Sequence, residues 1–344
     1  PLTPDGAPDL GPLTRAARDI AARLRPGQLV IVESTTYPGA TEEVVRPILE
    51  AGGLRSGRDL FLAFAPERED PGNPEFGPRN TPKVVGAACP EARRLARAFY
   101  RLFVEKVVSV SDTRTAEAVK LAENVFRSVN IALVNELKDV LGPMGVDIWE
   151  VIAAAATKPF GYMPFHPGPG LGGHCIPVDP HYLAWKARAH GRVARVVELA
   201  AEINAAMPAR VVERLEDALA RRRGRSLAGA RVLVLGVAYK RNVADIRESP
   251  ALSILERLEA RGAATAFHDP FVPRLPALAA HPGLSGRAGA AWRDDLAAGF
   301  DAALVVTDHD GVDYRALLRH APLVVDTRNA CRRAGAFGPN LVLA

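Results

Sequence analysis

The sequence has few cysteines and no pairing pattern among them. Its 344 residues include Cys89, Cys175 and Cys331, which are far apart and odd in number. This excludes the disulfide framework of a small secreted domain and indicates free thiols in a reducing compartment. No Cys-x-x-Cys or His-x-x-x-His pattern is present, which argues against a zinc site and favours no metal.

Long apolar runs and dense blocks of charge are also scarce. No stretch approaches the roughly 20 residues of a membrane helix, and no signal peptide opens the chain. The net charge of +5 is spread out, and the one dense basic run, Arg221 to Arg225, has no aromatic residues within it. We therefore expect a cytoplasmic protein that binds neither membranes nor nucleic acid.

The usual dinucleotide fingerprint is missing as well. In that motif a Gly-x-Gly-x-x-Gly turn between a strand and a helix cradles a pyrophosphate, and an acidic residue about 20 positions later binds the ribose. The strand pattern at 231–235 is followed instead by Gly236-Val-Ala-Tyr-Lys240. The sequence therefore predicts that any Rossmann-type domain at the N-terminus is incomplete.

What the sequence does contain is the alternation of an α/β protein. A helix pattern from Leu13 to Leu24 precedes strand patterns at 28–34, 60–65, 83–86 and 107–110. Ser34-Thr35 and Glu67 follow the first two strands. Because carboxyl ends of strands line the ligand crevice of an open α/β sheet, these polar residues are candidate site residues.

A second α/β pattern starts near Pro208, where we expect one helix to end and another to begin. Predicted strands at 231–235, 264–267, 302–306 and 323–326 each end in polar residues. Such endings at one edge of a sheet predict a second binding crevice.

Between the two patterns lies the longest helix pattern, Asp112 to Leu141, which Asp112 or Thr113 can cap. Lys120 and Asn124 are four residues apart in it and so share one face. A lysine on a helix is usually only a solvated surface group. A cation and an amide on one face are also what an enzyme needs to stabilise developing negative charge.

A loop rich in glycine and proline, 164–180, holds the second cysteine, Cys175. Gly172 and Gly173 bend the backbone and leave room for a ligand beside the thiol. We expect Asp179 to cap the next helix, with Pro180 at its first position. A thiol near a helix N-terminus favours the thiolate, and Asp179 can move a proton beside it.

Three other interpretations of Cys175 are open. A lone cysteine is often a small buried hydrophobe. His174, Cys175, Asp179 and His181 are possible metal ligands, although their spacing is not that of a known site. A cysteine hydrolase would need a histidine base, and His174, adjacent in sequence, is poorly placed to serve.

The loop Gly172-Gly-His-Cys-Ile-Pro-Val-Asp179, the Lys120–Asn124 helix and Arg247-Glu-Ser-Pro250 together resemble the UDP-sugar 6-dehydrogenases. These enzymes oxidise a sugar C6 alcohol to a carboxylate with NAD, in two steps, through a thiohemiacetal and a thioester on cysteine. Tyr37-Pro-Gly39 and Thr157-Lys-Pro-Phe160 are similar to the UDP-N-acetylglucosamine 6-dehydrogenase branch, which serves surface polysaccharide synthesis.

The resemblance implies an α/β fold with an incomplete N-terminal Rossmann-type domain, a central region of long helices and a second Rossmann-like, UDP-binding domain. The corresponding boundaries are 1–110 for the C-terminal part of the NAD-binding domain, 111–208 for the central region with the cysteine loop, and 209–344 for the UDP-sugar-binding domain. It also implies a homodimer, or a higher homo-oligomer, formed through the long helix.

The resemblance further implies a role for each matching residue. The catalytic residues are Cys175, Lys120, Asn124, Asp179 and Glu67, with Glu67 as the base in thioester hydrolysis. Thr35 and the phosphate-facing Arg247 are assigned to the cofactor, NAD. The UDP-sugar contacts are Lys240, Arg328, Gly172, Gly173 and Phe165, where Phe165 is either a wall for the sugar or a core residue.

The function implied is NAD-dependent oxidation of a UDP-sugar, UDP-N-acetylglucosamine being the first choice. UDP-glucose and UDP-N-acetylmannosamine are alternative substrates. Because the glycine-rich turn is missing, another alternative is a truncated UDP-sugar-binding fragment without turnover.

Overall fold

The computed structural model describes residues 1–3, 6–70, 72–173 and 176–344. They form two compact units, of which the first comprises 1–127 and 178–198 and the second 128–177 and 199–344. Each unit contains its own sheet, which confirms the α/β prediction. No helix in the described part of the chain is long and apolar enough to cross a bilayer.

The sheet of the first unit has the order β1-β2-β3-β4. Its strands are β1 (Leu29–Val32), β2 (Phe61–Phe64), β3 (Lys83–Ala87) and β4 (Val107–Ser109). The pairs β1–β2 and β3–β4 are parallel, and β2–β3 is antiparallel. All four strands lie where the sequence pattern predicts them.

Helices cover both faces of this sheet, which is why the buried residues of its central strands are apolar. On one face lie α1 (Gly11–Ala21) and α2 (Arg46–Glu50), with Ala17 and Leu49 packed on Leu62 and Phe64. On the other face lies α3 (Pro90–Tyr100), packed on Ala63 and Val85.

The long helix α4 spans Thr113–Leu141, as predicted, and Asp112 caps it by accepting a hydrogen bond from the Thr115 N–H at 2.7 Å. The helix after the cysteine loop, α6 (Asp179–Ala189), starts differently from the prediction. Its N-cap residue is Val178, and Asp179 makes no capping bond. The Asp179 carboxylate bonds Asn124 instead, so a distant partner replaces the local cap.

The predicted helix break at Pro208 is wrong. After α5 (Ile148–Ala155), α7 runs without interruption over Arg195–Arg223, with Pro208 inside it. Proline has no N–H for the Asn204 carbonyl one turn earlier. A Cβ built on Gly170 would lie 3.4 Å from that carbonyl oxygen and from Cδ of Pro208, so the glycine-rich loop packs where the proline opens the helix.

The second sheet is entirely parallel, in the order β6-β5-β7-β8-β9. Its strands are β5 (Arg231–Leu235), β6 (Ala264–His268), β7 (Ala302–Val305), β8 (Val324–Asp326) and β9 (Leu341–Leu343). Its shorter helices are α8 (Pro250–Ala260), α9 (Tyr314–His320) and α10 (Ala330–Arg333). Strand β9 is not among the predicted elements. The strand order reverses between β5 and β7, where ligands of such sheets bind.

Candidate active site

Three predicted catalytic residues of the first unit lie together in the structure. Lys120, Asn124 and Asp179 are 8%, 9% and 3% exposed. The Asn124 side-chain amide donates a hydrogen bond of 2.5 Å to Oδ2 of Asp179. Lys120 lies one turn before Asn124 on α4, and its positive charge acts on the same carboxylate. A cation, an amide and a carboxylate are thus gathered at one buried place.

The Asp179 carboxyl has a pKa raised well above its usual value. Burial raises its pKa to about 6, although the hydrogen bond from Asn124 and the charge of Lys120 lower it. A group with this pKa can take a proton from an alcohol at physiological pH and release it again.

A residue that the sequence analysis missed, Glu117, holds the segment after β1 against α4. Its fully buried carboxylate accepts hydrogen bonds from the Gly39 N–H (2.5 Å), the Thr41 N–H (2.8 Å) and the Thr41 hydroxyl (2.6 Å). Burial raises its pKa against the effect of these bonds. Lys120 lies one turn further along α4. Glu117 therefore fixes the position of Lys120 relative to the segment that contains Thr35.

We expect Glu117→Ala to destabilise the protein by about 2–4 kcal/mol, because it leaves buried N–H groups of Gly39 and Thr41 without an acceptor. Urea unfolding measures the change. Glu136→Ala, at an exposed position of the same helix, is the matched control and should stay within about 0.5 kcal/mol of the parent. Equal effects of the two substitutions would contradict an anchoring role for Glu117.

Glu67, the fourth predicted catalytic residue of the first unit, lies in the loop after β2. Its side chain is 51% exposed, and Nζ of Lys83 is 3.4 Å from its Oε2. Burial raises the pKa of Glu67, but the Glu69 N–H and the Lys83 charge together bring it below its usual value. The Glu67 carboxylate is therefore ionised at neutral pH and able to accept a proton.

The chain next to Glu67 is tied to α4. Nη2 of Arg68 lies 2.7 Å from Oε1 of Glu123, the neighbour of Asn124. Glu67 also borders a cavity of about 610 Å³, which is lined by apolar and charged side chains of β1, α3 and the loops beside them. The structure thus places Glu67 at the rim of a cavity, with α4 fixing its loop.

In the second unit, the glycines of the predicted cysteine loop are packed against other protein groups. A Cβ on Gly172 would lie 2.7 Å from Cβ of Tyr239, and one on Gly173 would lie 2.9 Å from the Tyr239 ring. The Gly173 N–H donates to the Arg247 carbonyl at 2.9 Å. We predicted space for a ligand beside these glycines. In the structure Tyr239 fills that space.

Arg328 is placed against the same loop. Its guanidinium would lie 2.5 Å from a Cβ on Gly168, and its Nε donates to the Val306 carbonyl at 3.0 Å. Arg247, by contrast, is largely exposed and forms a two-point ion pair with Asp245. The guanidinium of Arg247 therefore has a carboxylate partner of its own.

Backbone strain is concentrated beside these predicted substrate residues. Among the described residues, Asn242, Glu248 and Asn329 are the non-glycine residues with positive φ, at 59°, 51° and 55°. They flank Lys240, Arg247 and Arg328 respectively. Such conformations cost energy and persist where surrounding contacts fix them, as they often do at binding sites.

Two further predictions have different outcomes. Phe165 packs on Val134, Ile148 and Ile152, so the core interpretation of this residue is supported by its contacts.

Cys175 and its neighbour His174 lie outside the described residues, and the prediction of a nucleophilic thiol stays a prediction. No group of three possible metal ligands is present in the ranges that the structure describes.

The helical turn after β1 does not fit the pyrophosphate of a dinucleotide. N–H groups at such a turn bind the phosphates in Rossmann-type sheets. Here the Gly39 and Thr41 N–H groups already donate to Glu117, whose negative charge would repel a phosphate. Thr35, half-buried at the end of β1, stays the predicted contact for the cofactor's reactive end.

Comparison with known families decides the affiliation. Models of the UDP-glucose/GDP-mannose dehydrogenase family match residues 1–104 (NAD binding domain), 114–206 (central domain) and 233–333 (UDP binding domain). The chain belongs to this family. The resemblance found in the sequence is thereby confirmed, and NAD is the cofactor that the family's N-terminal domain binds.

Relatives within the family carry different sugar names. UDP-N-acetyl-D-glucosamine 6-dehydrogenase from Pseudomonas aeruginosa is 39% identical over 79% of this chain, which spans 64% of that relative's length. UDP-N-acetyl-D-mannosamine dehydrogenase from Pyrococcus horikoshii is 36% identical over 96% of the chain and 75% of the relative. The solved structure of a UDP-D-ManNAc dehydrogenase from Pyrococcus horikoshii superposes with a TM-score of 0.87 at 33% sequence identity. The match covers 100% of this chain and 78% of the chain in that structure.

Proposed function

We propose that this chain catalyses the NAD-dependent oxidation of the C6 alcohol of a UDP-sugar to the UDP-uronic acid. The observation that supports the proposal is the buried group of Lys120, Asn124 and Asp179. It combines two groups that stabilise an oxyanion with a carboxylate that titrates near pH 6.

In the first oxidation, Asp179 takes the C6 hydroxyl proton, directly or through a water at Lys120, as a hydride leaves C6. NAD supplies the acceptor for this hydride and for the second. The Cys175 thiolate then adds to the aldehyde carbon, and Lys120 and Asn124 stabilise the oxyanion that forms. Loss of the second hydride gives a thioester. Glu67 takes a proton from water, which attacks the thioester carbon and displaces the thiolate.

UDP-N-acetylglucosamine is the substrate that we propose first, because the relative of that name is 39% identical. UDP-N-acetylmannosamine is the second candidate, since a relative named for it is similar over more of the chain. Counting NADH formed per uronic acid tests the reaction, and the expected ratio is two. One NADH per product, or no uronic acid from either sugar, would contradict the proposal.

A UDP-sugar-binding protein without turnover is the second candidate function. It is favoured by the missing Gly-x-Gly-x-x-Gly turn, the motif that cradles the pyrophosphate of a dinucleotide. Calorimetric titration with each UDP-sugar and with NAD separates the two functions. Binding of a UDP-sugar without measurable NAD binding would favour the second.

We further propose that the protein forms a homodimer through the second half of α4. Leu133, Leu137 and Val140 are 48%, 38% and 49% exposed, and their spacing places them on one side of the helix. We expect Leu137→Glu to shift the protein toward the monomer in light scattering, because it buries a charge in the contact. Leu102→Glu, the same change at an exposed leucine outside α4, should leave the mass unchanged. A parent protein that is monomeric would refute this contact.

A further inference from the structure

Asp269 joins the ends of two neighbouring strands in the second unit. It follows β6 directly, and its Oδ2 accepts hydrogen bonds from the backbone N–H groups of Val237 (2.7 Å) and Ala238 (2.9 Å), which follow β5. Its Oδ1 accepts two more from the backbone of its own loop, at Phe271 (2.8 Å) and Val272 (3.0 Å). One buried carboxylate thus fixes the start of the segment after β5.

His309, which follows β7, completes this arrangement. Its side chain is fully buried. Nε2 lies 3.0 Å from Oδ2 of Asp269, and Nδ1 lies 3.0 Å from the backbone N of Asn242. Because the Asn242 N–H only donates, Nδ1 must accept, and the ring proton therefore resides on Nε2 and points to Asp269. Through Asp269, the ring links the two ends of one segment, 237–242.

Further contacts from the β7 end hold the same segment. The Thr307 hydroxyl donates to the Ala238 carbonyl at 2.6 Å. Asn242, in its positive-φ conformation, exchanges two hydrogen bonds with Asp310, of 2.6 and 3.1 Å. The segment lies where the strand order reverses, between β5 and β7, the place where sheets of this kind bind nucleotides.

The segment carries Tyr239 and Lys240, and Tyr239 is held from both sides. Its N–H donates to the Asp245 carbonyl at 2.9 Å. Its ring and Cβ leave no room for a side chain at Gly173 or Gly172. A shift of the segment would therefore move Tyr239 away from the glycine loop and displace Lys240, the predicted substrate contact.

We propose that His309 is a positioning residue for the nucleotide part of the substrate: bonded between Asp269 and Asn242, it fixes segment 237–242 in the conformation that presents Tyr239 and Lys240. The inference rests on the proposed function for the ligand, a uridine diphosphate. His309 is not among the substrate contacts that the resemblance to the UDP-sugar 6-dehydrogenases implies.

Three substitutions separate the two bonds of the imidazole. His309→Phe keeps the ring shape and removes both bonds. His309→Asn keeps an acceptor at the position of Nδ1, and His309→Gln keeps a donor at the position of Nε2. His320→Phe makes the same change at an exposed position at the end of α9 and is the control.

UDP alone is the probe, titrated by calorimetry into the full chain. We expect His309→Phe to weaken UDP binding roughly tenfold, the effect of about one lost hydrogen bond. His309→Asn should recover most of the affinity and His309→Gln little of it. Hydrogen exchange should speed up at 238–242 and stay unchanged in β6 and β7. His320→Phe should bind UDP as the parent does.

Two results would overturn the inference: His309→Phe binds UDP within twofold of the parent, or exchange rises evenly over the unit. If His309→Phe does not fold, the Asn and Gln variants decide, because equal UDP affinity in both removes the special role of Nδ1. A parent that does not bind UDP refutes the proposed ligand. The exchange comparison still tests the positioning role in that case.

Discussion

A Cys175→Ser protein should form almost no uronic acid, with the rate of acid formation reduced on the order of 10⁴-fold or more. At neutral pH a serine hydroxyl is a far weaker nucleophile than a thiolate, so the aldehyde is not captured. Oxidation should then stop after the first hydride transfer. Mass spectrometry of the products and the NADH count, at most one per UDP-sugar consumed, measure this outcome.

Cys89 offers a matched control for this experiment. It is the N-cap of α3, where its sulfur accepts a hydrogen bond from the Ala92 N–H at 3.4 Å. Serine is among the best N-cap residues, so Cys89→Ser should keep both stability and acid formation. Normal uronic acid production by Cys175→Ser would refute the covalent scheme and leave direct oxidation of an aldehyde hydrate as the simpler route.

The order of strands and helices could be predicted because it is a local property of this sequence. Apolar runs of four to six residues give β1 to β8, and capping residues mark the start of α4. Strand β9 (Leu341–Leu343) was not predicted, because its pairing with β8 is a contact that no local pattern encodes. The Pro208 break was predicted from propensity alone, whereas α7 continues through Pro208, with Gly170 packed close to that turn.

The candidate site could be predicted only in part, for the same reason. Lys120 and Asn124 share a helix face, so their proximity follows from spacing. The hydrogen bond between Asn124 and Asp179 joins residues 55 positions apart, so spacing along the sequence could not predict it. One feature of the sequence could have identified Glu117. Together with Lys120 and Asn124 it forms a row of polar residues at helical spacing on an otherwise apolar helix face. His309 acts through Asp269 and Asn242, 40 and 67 positions away.

Substituting Lys120 by methionine should lower kcat/KM about 10²- to 10³-fold, the cost of removing one group that stabilises an oxyanion. It should also change the pH profile. Asp179 works as a base only when ionised, so activity rises with pH through its pKa, which is about 6 with Lys120 present. The Lys120 charge lowers that pKa, so its removal raises the pKa and moves the acid limb to higher pH.

The pH dependence of kcat/KM in the parent and the Lys120→Met protein measures this shift. Lys106→Met is the control, because Lys106 is exposed and is not among the groups that act on Asp179. Its profile should overlay that of the parent. An acid limb that stays in place in Lys120→Met, or moves to lower pH, would show that Asp179 is not the base. If the rate falls in that case, the loss assigns Lys120 a role at the oxyanion alone.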